Sequence, residues 1–219
     1  MTLIDQGALV ALSISFLWAL TSILSAGPAR KLGGMRYNRL RISIVAVLWT
    51  AIAGFIVWRT GVFPSATQLG VLTVSGFIGI FLGDTLLFST MARLGPRRTT
   101  MLFSTHAPMT ALMGIFMGET LILRDWFGIA LVFGGVLLAI VYGKRRDQLH
   151  VWESVRGLLL VGVLLGLGAA FSQALGTIIA NPIMDNPNLD ERPDPIVASA
   201  IRVSVSAAAL WVVMLIPGP

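Results

Sequence analysis

Residues 83–119 read GDTLLFSTMARLGPRRTTMLFSTHAPMTALMGIFMGE. Two long apolar segments flank a short basic turn, Arg93-Leu-Gly-Pro-Arg-Arg98. Each segment carries one ionisable side chain well inside it, Asp84 in the first and His106 in the second. Such groups are costly in an apolar span and mark candidate functional sites. The turn centres near Pro96, twelve residues after Asp84 and ten before His106. If both segments are helices rising about 1.5 Å per residue, the two groups lie within about 3 Å of the same depth. An antiparallel hairpin would bring an acid and an imidazole together inside a membrane.

Composition extends this reading to the whole chain. Of 219 residues, 56% are hydrophobic and 12% charged, about half the charge of a typical soluble domain. The expected fold is an all-α polytopic membrane protein, because isolated strands would leave backbone groups unpaired in lipid. The net charge of +6 does not point to nucleic acid. Lys and Arg cluster between apolar runs, as in cytoplasmic membrane loops. With no cysteine, disulfides, thiolate metal sites and cysteine nucleophiles are excluded, and neither a cofactor nor a metal site is expected. Met1–Gly7 carries no Lys or Arg, so the first apolar run is expected to be a retained span rather than a cleaved signal.

Seven runs approach the roughly 20 residues needed to cross the hydrocarbon. They lie near 7–27, 38–58, 67–92, 99–118, 125–143, 156–180 and 195–216. Gly27-Pro28 closes the first, whose serines and threonines either pack against neighbours or line a central cavity. Gly70, Gly76, Gly79 and Gly83 give the third a smooth face for close backbone approach. Pro108 should kink the fourth. Glu119, near the surface, reads as a cap or a partner of Arg124, and His150 as solvated. Twelve of the sixteen Lys and Arg residues fall in the first, third and fifth connections, counting Arg41 at the head of the second helix. The positive-inside rule then puts the amino terminus outside.

A repeat runs through the chain. Gly7…Leu17-Trp-Ala-Leu-Thr-Ser22 matches Gly157…Leu167-Gly-Ala-Ala-Phe-Ser172 at an offset of 150. Arg41 in LRISIVAVLW is echoed by Arg202 in IRVSVSAAALW; both arginines read as structural, interface-anchoring residues rather than anion binders. A five-helix unit inserts its second copy upside down, and such inverted repeats are the mark of secondary transporters with mid-membrane sites.

Here the chain resembles the EamA family of the drug/metabolite transporter superfamily. The motifs are Gly83-Asp84-Thr85, Arg93-Leu-Gly-Pro-Arg-Arg-Thr99, Pro108, Gly118-Glu119-Thr-Leu, and Trp126-Phe-Gly-Ile-Ala-Leu-Val-Phe-Gly-Gly-Val-Leu-Leu138. The resemblance implies a ten-helix carrier of two five-helix repeats. Seven helices are expected here of those ten: a first repeat over 1–146, an inter-repeat loop over 147–156, and two helices of a second repeat over 157–219. A fragment is the expectation. The family's termini are usually cytoplasmic, which conflicts with the charge count and leaves orientation open.

The function expected is a permease of the cell membrane that moves a small metabolite or drug-like solute by alternating access. Asp84, His106 and Pro108 are the candidate substrate-binding or coupling residues, with a proton as a candidate coupling ion. Ahead of proton coupling, Asp84 and His106 read as a structural hydrogen-bonded pair or as polar cavity lining. Arg41, Glu119 and Arg202 are assigned structural or interface roles. The partners expected are a small-molecule solute and the bilayer, with a homodimer as one way to complete the missing half. The alternatives are a membrane-embedded lipid-modifying enzyme and a non-transporting assembly subunit.

Overall fold

The computed structural model describes residues 3–142, 154–185 and 192–215. Lys144–Arg146, residues 147–153 with His150, residues 186–191 of the acidic 183–195 connection and the chain end after Leu215 lie outside the described residues. Every described element is helical. In chain order they are α1 (Leu3–Leu32), α2 (Gly34–Thr60), α3 (Ala66–Gly76), a π-helical turn (Phe77–Leu82), α4 (Gly83–Phe103), α5 (His106–Gly114), a 3₁₀ turn (Ile115–Met117), α6 (Leu123–Val141), α7 (Leu159–Met184) and α8 (Pro195–Leu215).

Six helical stretches are long and apolar enough to cross a membrane. One of them, Ala66–Met117, has 52 residues, about 78 Å if straight at 1.5 Å per residue, far more than one crossing. It doubles back at Gly95, whose φ of 81° and ψ of 171° leave the helical region. Glycine tolerates that conformation and the following Pro96 cannot continue the hydrogen-bond ladder. Leu87 and Phe103 meet on Ala169 of α7, and Thr90 and Leu102 both approach Gly166. These pairs straddle Gly95, so the two arms are antiparallel. The seven expected passages are present.

Several boundaries move, each for a packing reason. α1 runs through Pro28 to Leu32 instead of stopping at Gly27, because Ala26 and Ala29 of its last turns are buried against Phe88 and Met91. The basic connection 30–41 is therefore mostly helix, with Gly33 alone as the joint (φ 82°). Pro108 interrupts the fourth passage at Ser104–Thr105, one turn before it, because proline has no N–H for the Ser104 carbonyl. Three side chains donate to carbonyls beside this break, that of Leu102 also accepting from the Thr105 amide at 3.2 Å. The Ser104 hydroxyl donates to Met101 at 2.7 Å and the Thr105 hydroxyl to Leu102 at 2.7 Å. The His106 ring Nδ1–H donates to Phe103 at 2.8 Å.

α2 packs along α8, and α4 along α7. Thr50 and Ser204 hydroxyls pair at 2.9 Å, and Trp211 Nε1–H donates to Ser43 at 3.0 Å. Residue numbers rise on α2 as they fall on α8, so these repeat-related helices cross antiparallel. The basic connections gather at one end. The Arg156 amide donates to the Arg93 carbonyl at 2.8 Å, and the Arg156 guanidinium to the Arg30 carbonyl at 3.2 Å. A cleft lined by Pro64, Gln68 and Asp194 marks the opposite end.

The glycine face of the third passage is real but shorter than expected. A Cβ on Gly76 would stand 2.6 Å from the Arg202 backbone, and one on Gly176 would stand 2.6 Å from Gly79 Cα. Gly83 lies against Ser172 of α7, whereas Gly70 meets nothing. Between apolar helices in lipid, such close backbone approach is the main source of association. Ser75 adds a buried hydrogen bond to the Gly176 carbonyl at 2.6 Å. Gly176→Ala should destabilise the bundle by about 1–3 kcal/mol through overpacking against backbone, while Gly70→Ala should leave it unchanged. Thermal unfolding of the detergent-solubilised variants reads both, and equal midpoints would contradict the seam.

Candidate functional site

The site forms where α2, α4 and α8 meet. The π turn supplies the geometry. The Gly83 amide donates back to Ile78, five residues earlier, and each such turn carries one extra residue. That insertion rotates everything after it by about 100° relative to a regular α-helix. The Thr85 hydroxyl bonds the Phe81 carbonyl at 2.6 Å and accepts from Asn38 of α2 at 3.3 Å, fixing the new phase. Asp84, the first acid after the turn, faces α2.

The Asp84 carboxylate accepts a hydrogen bond from the Arg41 guanidinium, an ion pair whose side chains are 27% (Arg41) and 16% (Asp84) exposed. The same guanidinium lies 4.9 Å over the Phe88 ring, a cation–π contact one turn further along α4. Arg202 of α8 approaches from the other side. Its Nη2 sits 3.3 Å from the position of a Cβ on Gly79, five residues before Asp84; it forms no ion pair with the carboxylate, so its charge is felt at longer range than that of Arg41. Asp84 thus lies between two arginines that the sequence repeat relates. It stands eleven residues before Gly95, about 16 Å along the helix and so near the middle of roughly 30 Å of hydrocarbon.

A small cleft of about 50 Å³ opens onto this pair, walled by α1 and α4. Trp18, Thr21, Ser22 and Ser25 form the α1 side, with Arg41 and Asp84 opposite. The hydroxyls of α1 therefore divide. Ser13 and Ser15 bond their own backbone at Leu9 and Ala11. Ser22 and Ser25 line the cleft; Ser22 also donates to its own backbone at Trp18, at 2.9 Å, and Ser25 accepts from Tyr37 at 2.7 Å.

The structure redistributes the sequence candidates. Asp84 and His106 do lie on facing arms at similar depth, but no hydrogen bond or ion pair joins them among the described residues. Asp84 turns to Arg41, while His106 is held by the Phe103 carbonyl and stacks on the Phe103 ring at 5.0 Å. Phe103 in turn stacks on Trp18 at 5.6 Å, so His106 reaches the cleft only through two aromatic rings. Pro108 is buried and shapes the break beside it. Glu119 makes no ion pair with Arg124; its side chain folds over Gly114. Arg41, expected as an interface anchor, instead pairs with Asp84, and Arg202 turns its guanidinium inward against Gly79. Their shared place in the repeat was the signal. It was read as a boundary mark because each stands near the start of its apolar run. The π turn left no signal in the sequence.

Removing Asp84 leaves two partly buried cations without a counter-ion, whereas removing Arg41 leaves Asp84 with Arg202. Asp84→Asn should therefore lower stability by about 3 kcal/mol, in the range for orphaning a buried charge, and Arg41→Gln by clearly less. Unfolding midpoints in detergent give the order, and the reverse order would show that Arg202 does not act on Asp84.

The EamA-like transporter family matches residues 5–141. The chain is also similar to the Solute carrier family 35 member B1 homolog of Drosophila melanogaster, 31% identical over 103 residues. That match covers 46% of this chain and 29% of the fly protein, so it spans under a third of the relative's length. No solved structure matches the chain.

Proposed function

Because the chain belongs to the EamA-like transporter family, we propose that it is a secondary transporter that carries a small solute by alternating access, with Asp84 at the centre of its route. The observation that carries this is the placement of one acid between Arg41 and Arg202, at mid-membrane, beside a cleft lined with hydroxyls. Secondary transporters of inverted-repeat design bind substrate at the repeat interface near the midplane. The antiparallel crossing of α2 and α8 supports a first repeat over 1–146 and the start of an inverted second over 157–219.

The cluster suits such a carrier. Arg202 lies against residues 76–79 and Arg41 against residue 88, so the two cations reach Asp84 from opposite directions along the helix. A tilt of α7 and α8 against α2 and α4 shifts the carboxylate from one arginine to the other. That is a two-position element of the kind alternating access requires. The basic connections gathered at one end mark that end as cytoplasmic in the cell membrane.

The absence of cysteine allows a direct test. Thr21→Cys and Ser22→Cys place a single thiol in the cleft. In right-side-out and inverted vesicles, an impermeant maleimide should modify at least one of them from both faces. Val62→Cys, at the end opposite the basic connections, should react from one face only. Cleft thiols that react from a single face, or from neither, would rule out alternating access. In reconstituted vesicles, counterflow of a labelled metabolite panel should find a solute whose accumulation Asp84→Ala lowers by about tenfold or more, because the two-position element of the carrier is lost.

A further inference from the structure

The charges of the site do not balance. Arg41 and Arg202 bring two positive charges and Asp84 one negative; Asp84 pairs with Arg41, and Arg202, its guanidinium against Gly79 inside the apolar bundle, has no ion pair among the described residues. The other described acids near this core, Glu119 and Asp125, lie on the link between passages. Asp125 is already engaged by the Ile122 amide at 3.0 Å. Protonation of Asp84 would only enlarge the excess. The Nε–H groups of both Arg41 and Arg202 are also buried without a hydrogen-bond partner. An isolated charge and unpaired donors in such surroundings are expensive unless something pairs with them.

We propose that the site takes an anionic solute, one bearing a carboxylate or phosphate group, and that Asp84 is the built-in stand-in for that anion when the site is empty. This rests on the reading of the Asp84 cleft as the transport site and adds the substrate's charge. Guanidinium groups are suited to the task, since their planar forks bind carboxylate and phosphate through paired N–H groups. The entering anion competes with Asp84 for Arg41 and draws on the excess charge of Arg202. The hydroxyls of Thr21, Ser22 and Ser25 on the cleft wall are placed to meet the solute's polar remainder. Neutral solutes of the same shape gain nothing from the excess cation and are discriminated against.

The test uses the full chain in detergent, with malonate and glycerol 3-phosphate as probes. Malonamide and glycerol serve as neutral counterparts, and sodium chloride holds ionic strength constant. At least one anion should raise the unfolding midpoint saturably, beyond its neutral counterpart. Asp84→Asn, freed of the internal competitor, should show half-saturation at about tenfold lower anion concentration, the scale of one charge-assisted hydrogen bond. Arg202→Gln leaves a neutral Arg41–Asp84 pair and should lose the anion response while still folding. If the neutral counterparts stabilise equally, or Asp84→Asn shifts nothing, or Arg202→Gln keeps the full response, the anion assignment is wrong. These failures are separable from failure of the transport reading. In the first case, cleft thiols still react from both faces and a neutral or cationic solute accumulates. In the second, neither happens.

Discussion

The bundle depends on a seam of backbone contact between the third passage and α7 and α8. Gly76 touches the Arg202 backbone, Gly79 touches Gly176, and Gly83 lies on Ser172. In water, apolar side chains would drive these helices together without help. In lipid that force is absent, and association relies on surfaces that approach closely enough for dispersion and buried hydrogen bonds to count. The seam has a second effect. Gly76 holds the α8 backbone so close that the Arg202 side chain lies along Gly79, five residues before Asp84. Packing and electrostatics at this site are therefore one arrangement. A bulkier residue at Gly76 would displace the charge as well as the helix.

The π turn completes that arrangement. A regular helix from Ala66 would aim Asp84 about 100° away from its present direction. The extra residue in Phe77–Leu82 redirects it toward α2, and Thr85 secures the turn by bonding both Phe81 and Asn38. An irregular helical turn inside lipid is tolerated where protein covers it, and here Gly79 is buried against Gly176 of α7 while Phe77 and Leu82 face outward. Such turns recur at functional sites because they place a side chain where a uniform helix would not.

Much of this was legible in the chain. Long apolar runs separated by basic clusters reveal passages, since the bilayer imposes length and polarity on every segment alike. The Gly95-Pro96 pair reveals the hairpin, since only a reversal suits glycine followed by proline at that point. The equal depth of Asp84 and His106 followed from arithmetic. Their separation did not, because depth fixes height and leaves direction around the axis free. One inserted residue in the π turn was enough to change the partner of Asp84. Arg41 and Arg202 were misread for a related reason. A long flexible side chain near a helix end can extend outward to water or inward to an acid, and only tertiary packing decides. Gly70 meets nothing, because six residues before Gly76 is about 120° round the helix from the face that α7 and α8 cover.

The break at Ser104–Thr105 carries a consequence for mechanics. An ordinary helix bends only by stretching backbone hydrogen bonds, and in lipid each lost bond is severe. Here Ser104, Thr105 and His106 supply bonds to the carbonyls of Met101, Leu102 and Phe103 through side chains. Side-chain torsions can follow a changing backbone angle while those bonds persist. The fourth passage is therefore a sprung rod with a compliant joint. Both halves lie against α7, so the joint lets the passage follow a moving α7 while the carbonyls of Met101, Leu102 and Phe103 keep their side-chain partners.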